Sequence, residues 1–248
     1  MGEKTGIAWC DHTFNPWIGC TKVSAGCENC YADRENKRFN WVSEWGKDYR
    51  LTSDANWKKP IQWARKAVAD GVTRRVFCAS LADVFDAKVS QDWRINLFDL
   101  ILDTEEIGGL EWLLLTKRPE NIAPMFQGMK NASNVRVGIT TENQEMFDKR
   151  MPIFLDAWQG KNFISVEPML SRLNIETNQY ADKINWVIAG CESGTNVREC
   201  RPEWARDLRD QCNWYNIPFF LKQLMDDGKL IVTPKLDGQQ WLEFPRNV

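Results

Sequence analysis

Short apolar runs recur along the chain, each followed by a stretch in which apolar positions return every three or four residues. A run such as Arg75-Val76-Phe77-Cys78-Ala79 has the length and composition of a strand covered on both faces. The longer stretches carry the helical period. Together they predict strands at 6–10, 75–79, 110–115, 135–139, 163–166, 184–189 and 217–221, and helices at 31–45, 91–105, 119–129, 142–155 and 202–215. Strands and helices in strict alternation imply βαβ units and a parallel sheet, with roughly six units before the last strand.

Two segments stand outside this alternation. Residues 46–73 form an insertion with its own helix, marked by Pro60 near the first turn and Gly71 just past the end. In the tail, 224–248, the apolar runs 230–232 and 241–244 flank Asp237-Gly238, a hairpin signal that predicts a small antiparallel cap. No linker or low-complexity tract divides the chain, so 1–248 is expected to be one domain.

Polar residues gather where the strands are expected to end. They are Ser80 and Asp83, Lys117 and Arg118, Thr140, Thr141 and Glu142, Ser165 and Glu167, and Cys191, Glu192 and Ser193. In parallel α/β sheets ligands bind at that edge. Each group also has a bland reading. The threonines and Glu142 suit a helix N-terminus, and Lys117-Arg118 before Pro119 suits a solvated helix start.

Charge changes the picture locally rather than globally. The chain carries 32 Lys and Arg against 34 Asp and Glu, so there is no overall basic field. Residues 31–75, however, hold eleven basic residues against six acidic ones, interleaved with Trp41, Trp45, Trp57 and Trp63. Phosphate neutralisation beside flat aromatic rings is how single strands and flipped bases are held, which makes DNA or RNA a candidate partner through residues 34–75. The alternative is a solvated two-helix insertion whose tryptophans pack on the sheet. No run of about eighteen apolar residues suits a membrane span, and eight cysteines without a signal-peptide pattern suit a reducing, cytoplasmic compartment.

Three of the eight lie close together, Cys20, Cys27 and Cys30, directly after the first strand and so on the same rim. A C-x2-C pair lets two thiolates face one ion or cluster, and Gly19 and Gly26 supply backbone freedom for the wrap. A structural zinc site would need a fourth ligand, for which Cys10 and His12, the only histidine, are the candidates. Three ligands alone leave one metal position open. Cys191, Cys200 and Cys212 are too loosely spaced to read as a second cluster, and Cys78 and Cys212 suit ordinary packing.

The segments Asn15-Pro16-Trp17-Ile18-Gly19-Cys20 and Gly26-Cys27-Glu28-Asn29-Cys30-Tyr31-Ala32 resemble the cluster loop of the radical S-adenosylmethionine (radical SAM) enzymes, spore photoproduct lyase relatives among them. The chain as a whole is similar to a phage-associated, uncharacterised family (DUF5131-like) that shares this loop. It departs from the usual C-x3-C-x2-C by three extra residues in the first gap, and Asn29 stands where an aromatic residue usually precedes the third cysteine. The resemblance implies a partial (βα)6 barrel in which Cys20, Cys27 and Cys30 hold a [4Fe-4S] cluster whose open iron chelates S-adenosylmethionine, fed by an electron donor such as flavodoxin or ferredoxin, to generate a 5′-deoxyadenosyl radical.

By position in such a barrel, Lys117 or Arg118 would pair with the methionyl carboxylate, Asp83 would lie near the methionyl amine, and Thr140, Thr141 and Glu142 would meet the ribose. Glu167, Glu192 and Ser193 complete the expected rim, with Cys191 and Glu192 as candidate catalytic groups. The expected activity is modification or repair of a nucleic-acid base. The alternatives are a radical SAM enzyme acting on a peptide or small metabolite, and a non-catalytic nucleic-acid-binding protein with a structural zinc.

Overall fold

The computed structural model describes residues 5–129, 132–194 and 196–245. Its centre is an eight-stranded sheet of order β1-β4-β5-β6-β7-β8-β9-β10, built from β1 (His12–Phe14), β4 (Arg74–Cys78), β5 (Leu110–Thr116), β6 (Val135–Thr140), β7 (Asn162–Val166), β8 (Val187–Gly190), β9 (Phe219–Asp226) and β10 (Lys229–Val232). Neighbours from β1 to β9 pair in parallel and β10 pairs antiparallel to β9. The sheet curls into an open half-barrel, the expected α/β partial barrel. Helices α3 (Lys59–Ala69), α4 (Gln91–Ile107), α6 (Gln144–Ala157) and α7 (Pro202–Trp214) alternate with its strands, and α1 (Tyr31–Phe39), α2 (Asp54–Trp57) and α5 (Ile122–Met125) lie in its connections.

The strands read as apolar throughout because both faces are covered, but by different partners. On one face Val76, Cys78, Trp112, Leu114, Val137, Ile139, Ile164, Val166, Val187 and Ala189 form the main core, together with helix residues such as Leu97, Ile101, Phe147, Phe154 and Leu208. On the concave face a separate cluster of Phe77, Leu113, Phe163, Ile188 and Phe220 closes around Trp9 and Trp186. Trp9 stacks obliquely on Phe77 at 4.5 Å, and Trp186 meets Trp9 edge-on at 6.4 Å. Each buried aromatic or aliphatic side chain contributes roughly 1.5–3 kcal/mol, so this plug fixes the curvature of the half-barrel as well as filling it.

Several boundaries differ from the sequence expectation, each for a local reason. Residues 6–10 form a turn, closed by Cys10 N–H on the Ile7 carbonyl at 3.3 Å, and the strand starts at His12. The first helix ends at Phe39 because Asn40 takes a left-handed conformation and the Asn36 amide binds both backbone groups of Val42. Residues 119–129 break into short turns around α5. The insertion contains the expected helix, α3, and also a short strand, β3 (Arg50–Leu51), that pairs antiparallel with β2 (Trp17–Ile18) in the segment after β1. In the tail, residues 229–232 extend the main sheet rather than building a separate cap. The hairpin at Asp237-Gly238 does form, between β11 (Lys235–Leu236) and β12 (Gln239–Gln240). Residues 241–244 lie against the sheet by a single bridge, Phe220 to Leu242, with Phe244 packed on Trp186. The last three residues of the expected cap, 246–248, lie outside the described residues.

Gly138 lies opposite Phe163 on the concave face, and a Cβ there would overlap the Phe163 ring. Gly138→Ala should therefore destabilise the protein by about 1–3 kcal/mol, read as a lower denaturation midpoint, because the ring supports Trp9 and cannot retreat.

Candidate active site

Following the concave face along each strand, the side chains change from apolar to polar in steps of two residues. Leu113 and Leu115 lead to Lys117, Gly138 leads to Thr140, Phe163 leads to Ser165 and Glu167, and Phe220 leads to Lys222. The polar ends surround a cavity of about 340 Å³ whose floor is Ile7, Trp9, Phe77 and Leu115. Cys20, Cys27 and Cys30 all line its opposite wall.

The cysteine loop leaves β1 through Asn15, whose side chain accepts from Leu81 N–H at 2.7 Å and donates to Ser80 Oγ at 3.0 Å. Gly19 follows with φ 126°, where a Cβ would overlap the Asp48 carbonyl. Gly26 is required for close approach instead, since a Cβ there would meet the Glu142 carboxylate at 2.9 Å.

Three polar groups then hold the loop against the strand ends. The first is Arg118, buried with its counter-ions. Its guanidinium contacts Asp83 at 2.6 Å, Asp86 at 3.2 Å, and the Thr21 carbonyl and hydroxyl at 2.7 and 2.6 Å, and it passes 3.9 Å from Cys20 Sγ. Asp83 also accepts from Thr116 Oγ1 at 2.8 Å, and Asp86 accepts from Thr21 N–H at 2.9 Å and the Tyr49 hydroxyl at 2.9 Å. Burial works against every charge in this network. The Asp86 carboxyl is nevertheless held below the usual range by the Thr21 backbone and Arg118, and the two carboxylates raise Arg118.

The second is Glu142, fully buried, which accepts from Ser24 Oγ, from Gly26 N–H at 3.2 Å and from Arg150 at 2.6 Å. Burial would raise its pKa, and the Arg150 charge and these hydrogen bonds lower it overall. The third is Glu192, paired with Arg198 and accepting from Asn29 at 3.1 Å. Arg198 in turn donates to the Ala25 carbonyl at 2.9 Å and pairs with Glu28 at 3.0 Å, while Arg34 donates to the Ser193 carbonyl at 2.8 Å.

The rim residues therefore divide. Asp83, Arg118 and Glu192 border the cavity, but Arg118 and Glu192 hydrogen-bond the cysteine loop and Asp83 is taken up by Arg118, Thr116 and the Phe85 and Lys117 N–H groups, while Thr141 and Glu142 lie behind the lining. The positions expected for ribose contacts thus narrow to Thr140. Lys117 Nζ reaches Thr140 Oγ1 at 3.3 Å, and among the described residues it has no carboxylate within ion-pair distance. Glu167 pairs with Lys222 at 2.8 Å and accepts from Ser165 Oγ at 3.2 Å. Lys222 escaped the sequence reading because the last strand was ended at Leu221; extending its alternation by two residues places Lys222 on the cavity side. Asp86 was also missed, although it sits one turn beyond Asp83.

Among the remaining cysteines, Cys191 lines the cavity, and interaction between the Cys191 and Cys200 thiols lowers Cys191 and raises Cys200. Cys78 and Cys212 are core residues. Cys10 donates to the Ile7 carbonyl at 3.7 Å, with burial pushing its thiol up to about 12, and His12 is stacked on Trp63 at 4.3 Å. Neither lines the cavity, so neither is placed as a fourth ligand to the cysteine loop. Among the described residues no three His, Cys, Asp or Glu side chains converge on a point that would hold one metal ion. Three thiols spread over one cavity wall would let each bind a separate iron of a polynuclear cluster.

The model of a family described as a protein of unknown function (DUF5131) matches residues 4–245. No curated protein matches. Among solved structures, spore photoproduct lyase complexed with dinucleoside spore photoproduct superposes with a TM-score of 0.52 at 12% identity, covering 83% of this chain and 73% of that one. A substituted form of that lyase with bound AdoMet and dinucleoside spore photoproduct gives 0.53 at 11% identity, covering 83% and 73%. The similarity is one of fold.

Two outcomes test the loop anchors. Arg118→Met would leave Asp83 and Asp86 buried without a cation, and should cost about 3–5 kcal/mol of stability in denaturant titration. Glu142 has a depressed pKa, so its contribution is complete above the unfolded carboxylate range and is lost as pH falls from there through its lower folded-state value. Glu142→Gln should therefore lower stability at neutral pH and flatten the acid limb of the stability curve below about pH 5.

Proposed function

This chain belongs to the DUF5131 family, and we propose that it is a radical SAM enzyme acting on a base of DNA or RNA. In this reading Cys20, Cys27 and Cys30 hold a [4Fe-4S] cluster. The observation that carries the reading is that Cys20, Cys27 and Cys30 share one wall of a cavity that also holds a polar strand-end rim, at the edge of an open half-barrel. The fold likeness to a lyase whose structures contain AdoMet and a dinucleoside photoproduct supports it.

When bound, such a cluster supplies the electron that cleaves S-adenosylmethionine to a carbon radical, which takes hydrogen from the substrate. The protein's own residues bind, orient and exclude water. Lys117, with no carboxylate partner among the described residues, takes the methionyl carboxylate, and Thr140 offers its hydroxyl to the ribose. Glu167 and Lys222 hold each other and present one charge of each sign to the ligand. Asp83, Arg118, Glu142 and Glu192 act one step back, by fixing the loop that carries the thiols. Cys191 takes the catalytic assignment as the thiol bordering the substrate space, and Ser193 and Glu192 close the rim beside it. Trp9, Phe77 and Leu115 make the floor apolar and keep water from the reacting atoms. The reading requires a low-potential donor of the flavodoxin or ferredoxin kind.

Anaerobic reconstitution followed by metal analysis and EPR tests it. About four irons per chain are expected, with a reduced-cluster signal that changes when S-adenosylmethionine is added. Cys20→Ala, Cys27→Ala and Cys30→Ala should each lose iron, and Cys10→Ala should keep it. One zinc per chain with no iron uptake would overturn the assignment.

A further inference from the structure

The basic, aromatic segment 34–75 does not form one surface. Trp63 is buried against His12, and Trp57 meets Phe14 edge-on at 5.6 Å, so both belong to the core. Helix α3, with Arg65 and Lys66, runs toward the start of β4, at the end of the sheet away from the cavity. Arg74 and Arg75 are committed to Asp70 and Glu111. What remains is the stretch from the end of α1 to β3, in which Trp45 lines the cavity.

There Phe39, half-exposed at 51%, stacks on Trp41 with ring centroids 5.2 Å apart and planes 19° from parallel. The Arg38 guanidinium lies 4.9 Å above the Phe39 ring. Trp41 and Trp45 pack on Ile18, Ala32, Leu81 and Cys30, and Trp45, Cys30 and the half-exposed Tyr31 line the cavity itself. An apolar, largely aromatic path thus runs from the cysteine loop through Trp45 and Trp41 to Phe39 at the surface. Over residues 37–50 there are four basic residues, Lys37, Arg38, Lys47 and Arg50, against Glu44 and Asp48. Lys47 and Glu44 neutralise each other at 2.6 Å, and Asp48 accepts from the Glu44 backbone. Arg38 and Arg50, both exposed, have no carboxylate partner among the described residues. With Trp41 stacked on Phe39 and the exposed Arg38 guanidinium over the same ring, the flat group left to meet a base is that guanidinium on its aromatic support, which is complementary both to a base and to its flanking phosphate.

We propose that Arg38, Phe39 and Trp41 form a stacking platform for a single-stranded nucleic acid, holding an unpaired nucleotide next to the one that enters the cavity. This rests on the nucleic-acid reading above. A flat group accepts any base, so the platform supplies grip and register and leaves base identity to the cavity. It also confines the nucleic-acid contact to the cavity-side half of the insertion.

Fluorescence anisotropy with labelled twelve-nucleotide oligo(dT) and oligo(U) tests it, at low salt and across a salt series. Loss of one stacked base corresponds to a weakening of about tenfold or more. Phe39→Ala should show that loss with either probe or both, Phe39→Trp should restore binding, and Arg38→Gln should weaken it and reduce the salt slope. Arg65→Gln with Lys66→Gln, on the far half of the insertion, should change nothing. Whichever probe binds the more tightly identifies the nucleic acid as DNA or RNA. If wild-type protein binds and a folded Phe39→Ala variant binds within twofold of it, the platform is wrong and the nucleic-acid reading stands. An equal loss in the Arg65 and Lys66 variant would overturn its location. No binding by wild-type protein to either probe at low salt would overturn the nucleic-acid reading and the platform with it.

Discussion

Everything at the cavity depends on a buried arginine. Arg118 stands at the end of β5, and its planar guanidinium spans two carboxylates from the loop after β4 and a threonine of the cysteine loop at once. No lysine would serve, since a point charge cannot hold three partners in fixed directions. Through this group the position of Cys20 is set by two neighbouring strands, although the loop itself is too short of apolar residues to fold alone. Glu142 from the end of β6 and Glu192 from the end of β8 repeat the device at Ser24, Gly26 and Asn29. The ends of β4, β5, β6 and β8 thus fix a loop whose only regular element between Ile18 and Cys30 is the single turn Ala25–Cys27.

The concave face explains why the cavity sits where it does. The inward positions at mid-strand are apolar, Phe77, Leu113, Phe163, Ile188 and Phe220, and toward the ends of β5, β6, β7 and β9 they become polar, at Lys117, Thr140, Ser165 and Lys222. The aromatic plug around Trp9 and Trp186 fills the lower half of the half-barrel and removes it from water. The upper half is left to Lys117, Thr140, Glu167 and Lys222. Because a strand advances by about 3.3 Å per residue, a change of character every second residue separates a dry floor from a polar rim by only about 7 Å. Charges on that rim therefore face a low-dielectric wall, which strengthens their interaction with any bound ion.

Much of this was legible in the sequence. The alternation of apolar runs with helical periods gave the parallel sheet and six of its strands, since burial on both faces imposes a signal that needs no tertiary information. The cysteine spacing and its glycines marked the loop, and the strand-end polar residues marked the rim. The same residues did not reveal which of them face the ligand. Asp83, Arg118 and Glu142 have the composition expected of ligand contacts and are occupied by the protein, because desolvated charges close to one another pair before they are available to anything else.

The tryptophans show the boundary most clearly. Interleaved with basic residues, all four of those at 41, 45, 57 and 63 read alike in sequence. Trp57 and Trp63 turn inward, because the short helices that carry them pack on the sheet, while Trp41 stays near the surface beyond the left-handed turn at Asn40. By itself the sequence determined the kind of sheet, the loop that bears the thiols and the edge on which chemistry would sit. These follow from periodicity and spacing along the chain. Only the tertiary structure decided which polar groups anchor and which are open, because that depends on partners up to 173 residues apart meeting at a few ångströms.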